Sequence, residues 1–177
     1  MIQSDTGSNR KGATMRITRA IAVGALIVLS ASWGLTSARK LKKPAPSAAE
    51  QLIGTWRLVS RVVKHADGSS NPDPTYGPKY PIGYIMYDRT GHMAVQFMGL
   101  DRPDNHSSLA YDAYFGTYTV NETKTPMTVT HHLEGSLIPG AVGHDNVRDL
   151  IISGDDLTLV VHTATPDINI NRFTRVK

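Results

Sequence analysis

Beyond residue 53 the chain alternates hydrophobic and polar positions with a period of two, which is the period of a β-strand with one buried face. Short segments rich in glycine, aspartate and proline separate these stretches. The alternation predicts eight strands, at residues 54–62, 82–87, 92–98, 114–120, 127–134, 147–152, 157–162 and 168–176. No helical crossover lies between them to support parallel pairing, so neighbouring strands should pair antiparallel.

Eight sequential antiparallel strands most simply close into an up-and-down barrel, because closure removes the exposed edges of the sheet. We therefore predict an all-β fold, an eight-stranded antiparallel barrel. A sandwich of two sheets is the structural alternative. One short helix should precede the barrel, since Ser47 and Glu50 have the spacing of a capping box and Gly54 follows soon after.

The first 38 residues have the order of a secretory signal peptide. Arg16 and Arg19 precede an apolar run at 20–35, and small residues ending at Ala38 suit a signal peptidase. Cleavage there predicts a periplasmic or secreted protein. The alternative is an uncleaved anchor that holds the protein to a membrane through residues 20–35, although this run is short for a spanning helix, which needs ~20 residues.

The rest of the chain divides in two. Residues 39–49 are basic and interrupted by proline, and they predict a flexible linker. Residues 50–177 should form the barrel domain.

Charge and composition exclude several classes of function. The net charge is +4, but residues 1–47 hold eight Lys and Arg against one acid, so residues 48–177 carry −3. The basic charge thus belongs to the leader and linker, and we do not expect nucleic acid as a partner. There is no cysteine, which excludes disulfides, thiol nucleophiles and cysteine-ligated metals.

Strand parity selects the residues that should face the barrel interior. If the loop at 88–91 has four residues, one face of this hairpin combines Ile82, Tyr84 and Met86 with the apolar residues of the next strand. His131 shares a face with Val129 and Leu133, and Arg148 shares one with Leu150 and Ile152. The candidate ligand-binding residues are Tyr84, Tyr114, Tyr118, His131 and Arg148.

These side chains predict a pocket for a small, largely apolar ligand whose acidic or carbonyl end lies near His131 and Arg148. The structural alternatives are an internal salt bridge or an exposed position for the arginine, and a satisfied core histidine. We expect no metal, because His131 and His132 are adjacent and point to opposite faces. No nucleophile elbow or phosphate-binding glycine motif is present, so no cofactor is predicted.

Several separated blocks resemble the bacterial and fungal lipocalin-like domain family. They are GTWRLVS at 54–60, GYIMYDRTGHMAVQF at 83–97, YFGTYTV at 114–120, THHLEGSLIPGAVG at 130–143, VRDLIISGDDLTL at 147–159 and RFTRV at 172–176. The resemblance implies a calycin-type barrel. It also implies structural roles for Gly54 and Trp56, with the tryptophan packed against Arg175 or, as second choice, Arg172.

The function predicted from these features is that of an exported carrier of a small hydrophobic or amphipathic molecule. The alternative is a cofactor-free isomerase or cyclase that uses the same cavity, with His131 or a tyrosine as acid and base. A third hypothesis is a stress-related envelope protein whose cavity has no role in its function.

Overall fold

The computed structural model describes residues 44–102 and 109–177. The predicted leader and residues 39–43 of the predicted linker lie outside the described residues. Among the described residues, no helix has the length and apolar character that crossing a membrane requires.

The strands occur close to where the alternation predicts them. The elements are α1 (Ala48–Leu52), β1 (Gly54–Lys64), β2 (Ser70–Pro72), a 3-10 helix (Pro74–Tyr76), β3 (Ile82–Tyr87), β4 (His92–Met98), β5 (Tyr111–Asn121), β6 (Thr128–Ser136), a second 3-10 helix (Pro139–Ala141), β7 (Asp145–Ser153), β8 (Asp156–His162) and β9 (Ile168–Arg175).

The sheet closes on itself. From β3 to β9 each strand pairs antiparallel with the next, and β1 pairs with both β3 and β9. The predicted eight-stranded antiparallel barrel is therefore confirmed, and the sandwich is excluded. The short β2 is an addition to it, which pairs with β1 at residues 62–64. No alternation of polarity marks β2 in the sequence.

The short helix α1 lies against the barrel. The Ser47 hydroxyl accepts a hydrogen bond from the Glu50 amide at 3.1 Å, and the Glu50 carboxylate accepts one from the Ser47 amide at 2.9 Å. This is the predicted capping box. Leu52 is fully buried in the same core as Trp56, so α1 packs against the barrel, and the helix begins at Ala48, two residues before the predicted start of the barrel domain.

The predicted faces of the β3–β4 hairpin are wrong on β3. Tyr87 pairs with Met93, so the loop contains five residues, 88–92, and not four. The Asp88 carboxylate shapes this longer loop by accepting hydrogen bonds from the amides of Thr90 and His92. One extra loop residue exchanges the two faces of β3. Ile85 and Tyr87 therefore point inward, while Ile82, Tyr84 and Met86 are exposed.

A second change of parity occurs on β1. The pairing of β1 with β9 slips by one residue between Leu58 and Ser60, which is a β-bulge at Val59. After the bulge Arg61 pairs with Asn171, which lies on the buried face of β9, and both line the interior. Strict alternation without the bulge would place Arg61 on the outside of the barrel.

Candidate ligand-binding site

The barrel encloses a small cavity of about 70 Å³. Its apolar wall contains aliphatic and aromatic side chains from four strands: Ile85, Phe97, Leu159, Val161 and Phe173. Its polar wall consists of Arg61, Asp112, Tyr114, Arg148 and Asn171. The cavity thus combines an apolar wall with a cluster of charged and hydrogen-bonding groups.

Arg61 is held by partners of its own. Its Nε donates to the buried carboxylate of Asp73 at 2.6 Å, and its Nη1 donates to the Asn171 side-chain oxygen at 2.9 Å. The guanidinium also lies over the Tyr76 ring, 5.4 Å from its centre. The Arg61 guanidinium beside Asp73 outweighs the cost of burial and lowers the pKa of that carboxyl. The charge of Arg61 is therefore balanced within the fold.

Arg148 has no comparable carboxylate. It lies on β7 with the parity of Leu150 and lines the cavity. Its Nη1 donates to the Val147 carbonyl at 3.1 Å, and its positive charge partly opposes the rise that burial causes in the pKa of Tyr114. Within residues 44–102 and 109–177, no carboxylate lies within 4.0 Å of its guanidinium. As far as the described residues go, more than half of the five guanidinium N–H groups are thus available to a ligand in the cavity.

Asp112 lies two residues before Tyr114 on β5 and also lines the cavity. Burial raises the pKa of this carboxyl, and the attraction of Arg61 and Arg148 only partly opposes the rise. In the described part of the chain, no cation makes an ion pair with Asp112. Among the described residues the carboxylate therefore has no ion-pair partner, and the neighbouring Ala113 amide is the hydrogen-bond donor that helps to lower its pKa.

His131 is fully buried between two tyrosines. The Tyr87 hydroxyl is 2.8 Å from its Nε2, and the Tyr114 hydroxyl is 3.2 Å from its Nδ1. Burial, reinforced by the positive charge of Arg148, holds the pKa of His131 well below its usual value. The ring is neutral, so one nitrogen donates and the other accepts.

The predicted site residues thus separate into two groups. Tyr114 and Arg148 line the cavity, and His131 reaches it only through the Tyr114 hydroxyl. Tyr118 faces the Tyr87 ring at 4.8 Å and donates its hydroxyl to the Asp88 carbonyl, away from the cavity lining. The inward position predicted for Tyr84 is wrong, because the five-residue loop places its side chain outside.

Tyr84 instead lines a groove of about 470 Å³ on the outer wall, with residues of β1, β3, β4 and β5. Tyr84 is 46% exposed. The groove beside Tyr84 is therefore larger than the interior cavity and lies outside the barrel. The charged side chains of Arg61, Asp112 and Arg148 line the interior cavity.

Sequence reasoning missed Arg61 and Asn171 as parts of the site. The bulge at Val59 that turns Arg61 inward leaves no mark in the polarity pattern. Asn171 was inside the predicted last strand, where its parity with Phe173 was a usable signal.

The end of the barrel near α1 is closed by Trp56 and Arg175. The indole is fully buried and donates from Nε1 to the Leu52 carbonyl at 2.8 Å. The Arg175 guanidinium lies 4.0 Å from the centre of the indole and donates to the Ile53 carbonyl at 2.8 Å. Arg172, the second choice for this contact, is exposed.

A family model described as the lipocalin-like domain matches residues 53–176, which is most of the chain. The chain belongs to the lipocalin-like domain family. The predicted resemblance is confirmed, and the stacked arginine and tryptophan lie where it implies. No curated protein matches this lipocalin-like domain.

Two solved structures of designed proteins are similar to it. A redesigned β-barrel is 17% identical, with a TM-score of 0.40, over 73% of this chain and 96% of that chain. A barrel designed de novo to activate fluorescence is 16% identical, with a TM-score of 0.41, over 75% of this chain and 100% of that chain.

Proposed function

We propose that this lipocalin-like domain binds a small organic anion, whose acid group lies on Arg148 and Tyr114 inside the barrel. The observation that carries the proposal is the position of Arg148 at an interior cavity without a carboxylate partner in the described residues. Removing an arginine from water to line an interior cavity costs folding free energy unless an anion lies beside it. The guanidinium fork suits a carboxylate, and the Tyr114 hydroxyl offers a third polar contact.

The dimensions of the cavity limit the ligand. A volume of about 70 Å³ is far below the ~300–1,000 Å³ of pockets that enclose drug-sized molecules. Phe97 and Phe173, whose rings lie 6.0 Å apart, give a short apolar body a place beside the acid group. The ligand is therefore a short acid rather than a long lipid.

The proposal includes export. The basic residues before the apolar run at 20–35 and the small residues ending at Ala38 support cleavage of a signal peptide. Retention of the run as a membrane anchor is the alternative. In either case the barrel would meet its ligand outside the cytoplasm.

Titration calorimetry with propionate and propionamide tests the role of Arg148, since these ligands have nearly the same shape and differ in charge. The protein should prefer propionate. Arg148→Met should reduce propionate binding by ~10-fold or more, because hydrogen bonds to charged groups contribute ~1.5–3 kcal/mol, while propionamide should lose little.

Arg172→Met is the matched control, because Arg172 is exposed on the outer face of β9 and should not affect either ligand. Equal losses for both ligands in Arg148→Met, or no loss, would show that this arginine is structural.

A second function is favoured by one specific observation. The hydrogen-bonded series Tyr87, His131 and Tyr114 ends at the cavity. In a cofactor-free isomerase, Tyr114 would exchange a proton with the substrate while His131 takes or returns it. His131→Gln distinguishes the functions, because an enzyme would lose turnover and keep its affinity for substrate, whereas a carrier shows no turnover to lose.

A further inference from the structure

Two charged groups that face the cavity have no ion-pair partner in the described parts of the chain, and they have opposite signs. Arg148 offers donors, and Asp112 offers a carboxylate. Arg61 makes its ion pair with Asp73 and donates to Asn171, and within the described residues it makes no ion pair with Asp112. The cavity thus presents a donor group and an acceptor group that are not joined to each other.

A plain carboxylic acid satisfies only one of these groups. Its carboxylate would bind Arg148, but the same negative charge would lie in a small cavity with Asp112. The two carboxylates would then either repel each other or raise the pKa of Asp112 further until it takes up a proton, and both outcomes cost binding free energy. Its alkyl carbons would also leave the Asp112 oxygens without a donor, which is costly for a half-buried acceptor.

A hydroxyl next to the acid group removes both difficulties. The hydroxyl donates a hydrogen bond to Asp112 while the ligand carboxylate remains on Arg148. This hydrogen bond stabilises the negative charge of Asp112. A neutral donor fits better than an ammonium group, because Arg61 and Arg148 already surround Asp112 with positive charge.

We infer that Asp112 makes the interior site selective for small 2-hydroxy acids over plain carboxylic acids. The inference rests on the proposed function, because it takes Arg148 as the anchor of the acid group. It names a specificity-determining residue, Asp112, and the class of ligand that this residue selects.

Competition between L-lactate and propionate on the full chain tests the inference, because the two acids differ by one hydroxyl. The unaltered protein should bind L-lactate ~10-fold more tightly or better, as expected for one hydrogen bond to a charged acceptor. Asp112→Asn should bring the ratio close to one, mainly by improving propionate binding as the repulsion disappears.

Asp112→Leu also removes the charged acceptor and carries the same prediction if Asp112→Asn does not fold. Glu134→Gln is the control, because Glu134 is exposed on β6 and should leave the ratio unchanged.

The outcomes separate the two proposals. If Arg148→Met abolishes the binding of both acids but Asp112→Asn keeps the lactate preference, the inference about Asp112 is wrong and the anion site remains. An unaltered protein without lactate preference, or one that prefers L-alanine to L-lactate, also overturns the inference. If Arg148→Met leaves both acids bound as before, the proposed function itself fails.

Discussion

The Arg175 guanidinium lies over the Trp56 indole at 4.0 Å and also donates hydrogen bonds to the carbonyls of Gln51 and Ile53. One side chain from the last strand thus binds the ring on the first strand and the backbone that joins α1 to this strand. The closure of the barrel and the position of the helix therefore depend on the same contact.

A double-mutant cycle measures this contact. Trp56→Ala should lower the free energy of unfolding by ~3–5 kcal/mol, the usual cost of emptying a buried aromatic site. Arg175→Ala should cost less, and the double mutant should cost less than the sum of the two, because the residues touch. Urea denaturation of the four proteins gives these values, and strictly additive losses would show that the stacking contributes nothing.

Gly54 is needed for the same closure. Its φ is +138°, and a Cβ built there would lie 2.8 Å from Arg175 Nη1. Gly54→Ala should therefore lower the unfolding free energy by ~1–3 kcal/mol, through backbone strain and displacement of the arginine. Gly140→Ala is the control, since nothing lies within 4 Å of the equivalent Cβ. Equal midpoints of thermal unfolding for the two variants would contradict this account.

His131 should make the stability of the barrel depend on pH. Its folded pKa lies well below the usual 6.5, so the contribution of the neutral ring is complete above that value. As the pH falls below it, the unfolded chain takes up a proton that the folded protein refuses, and stability is lost by up to ~1.4 kcal/mol per pH unit.

Urea denaturation between about pH 7 and about pH 5 tests this linkage. His131→Gln should lack this part of the loss, so its stability relative to the unaltered protein should improve as the pH falls. His144→Gln, at an exposed histidine, should show no such improvement. A constant difference between His131→Gln and the unaltered protein would mean that the pKa of His131 is the same in the folded and unfolded protein, which contradicts this account.

Export predicts a defined start for the mature chain. N-terminal sequencing of protein from its own host should begin near Arg39, because the small residues of the predicted cleavage site end at Ala38. Membrane-bound protein that still contains residues 20–35 would support the anchor. Cytoplasmic protein that retains them would refute export.

The sequence was sufficient for the strands and for barrel closure, because alternation of polarity records which side of a strand is buried. It was not sufficient for the site, because two local irregularities each change parity by one residue. The five-residue loop at 88–92 turned Tyr84 outward, and the bulge at Val59 turned Arg61 inward. Both irregularities depend on backbone geometry, and the residue types at 88–92 and at Val59 do not distinguish these positions from regular hairpins and strands.

His131 illustrates a different limit. Its parity on β6 was readable from Val129 and Leu133, and the side chain is inside as that parity requires. The tyrosines that surround it come from β3 and β5, and the alternation within one strand contains no information about contacts between strands. Tyr87 in particular was hidden by the error in the β3 face.

The most direct test of the anion site is the position of a bound acid. A crystal of the protein with 3-bromopropionate, measured for anomalous scattering from bromine, locates the ligand without assumptions about affinity. The account predicts a bromine peak inside the barrel near Phe97 and Phe173, with the carboxylate on Arg148 and Tyr114. A peak in the outer groove beside Tyr84, with the interior cavity unchanged, would contradict it.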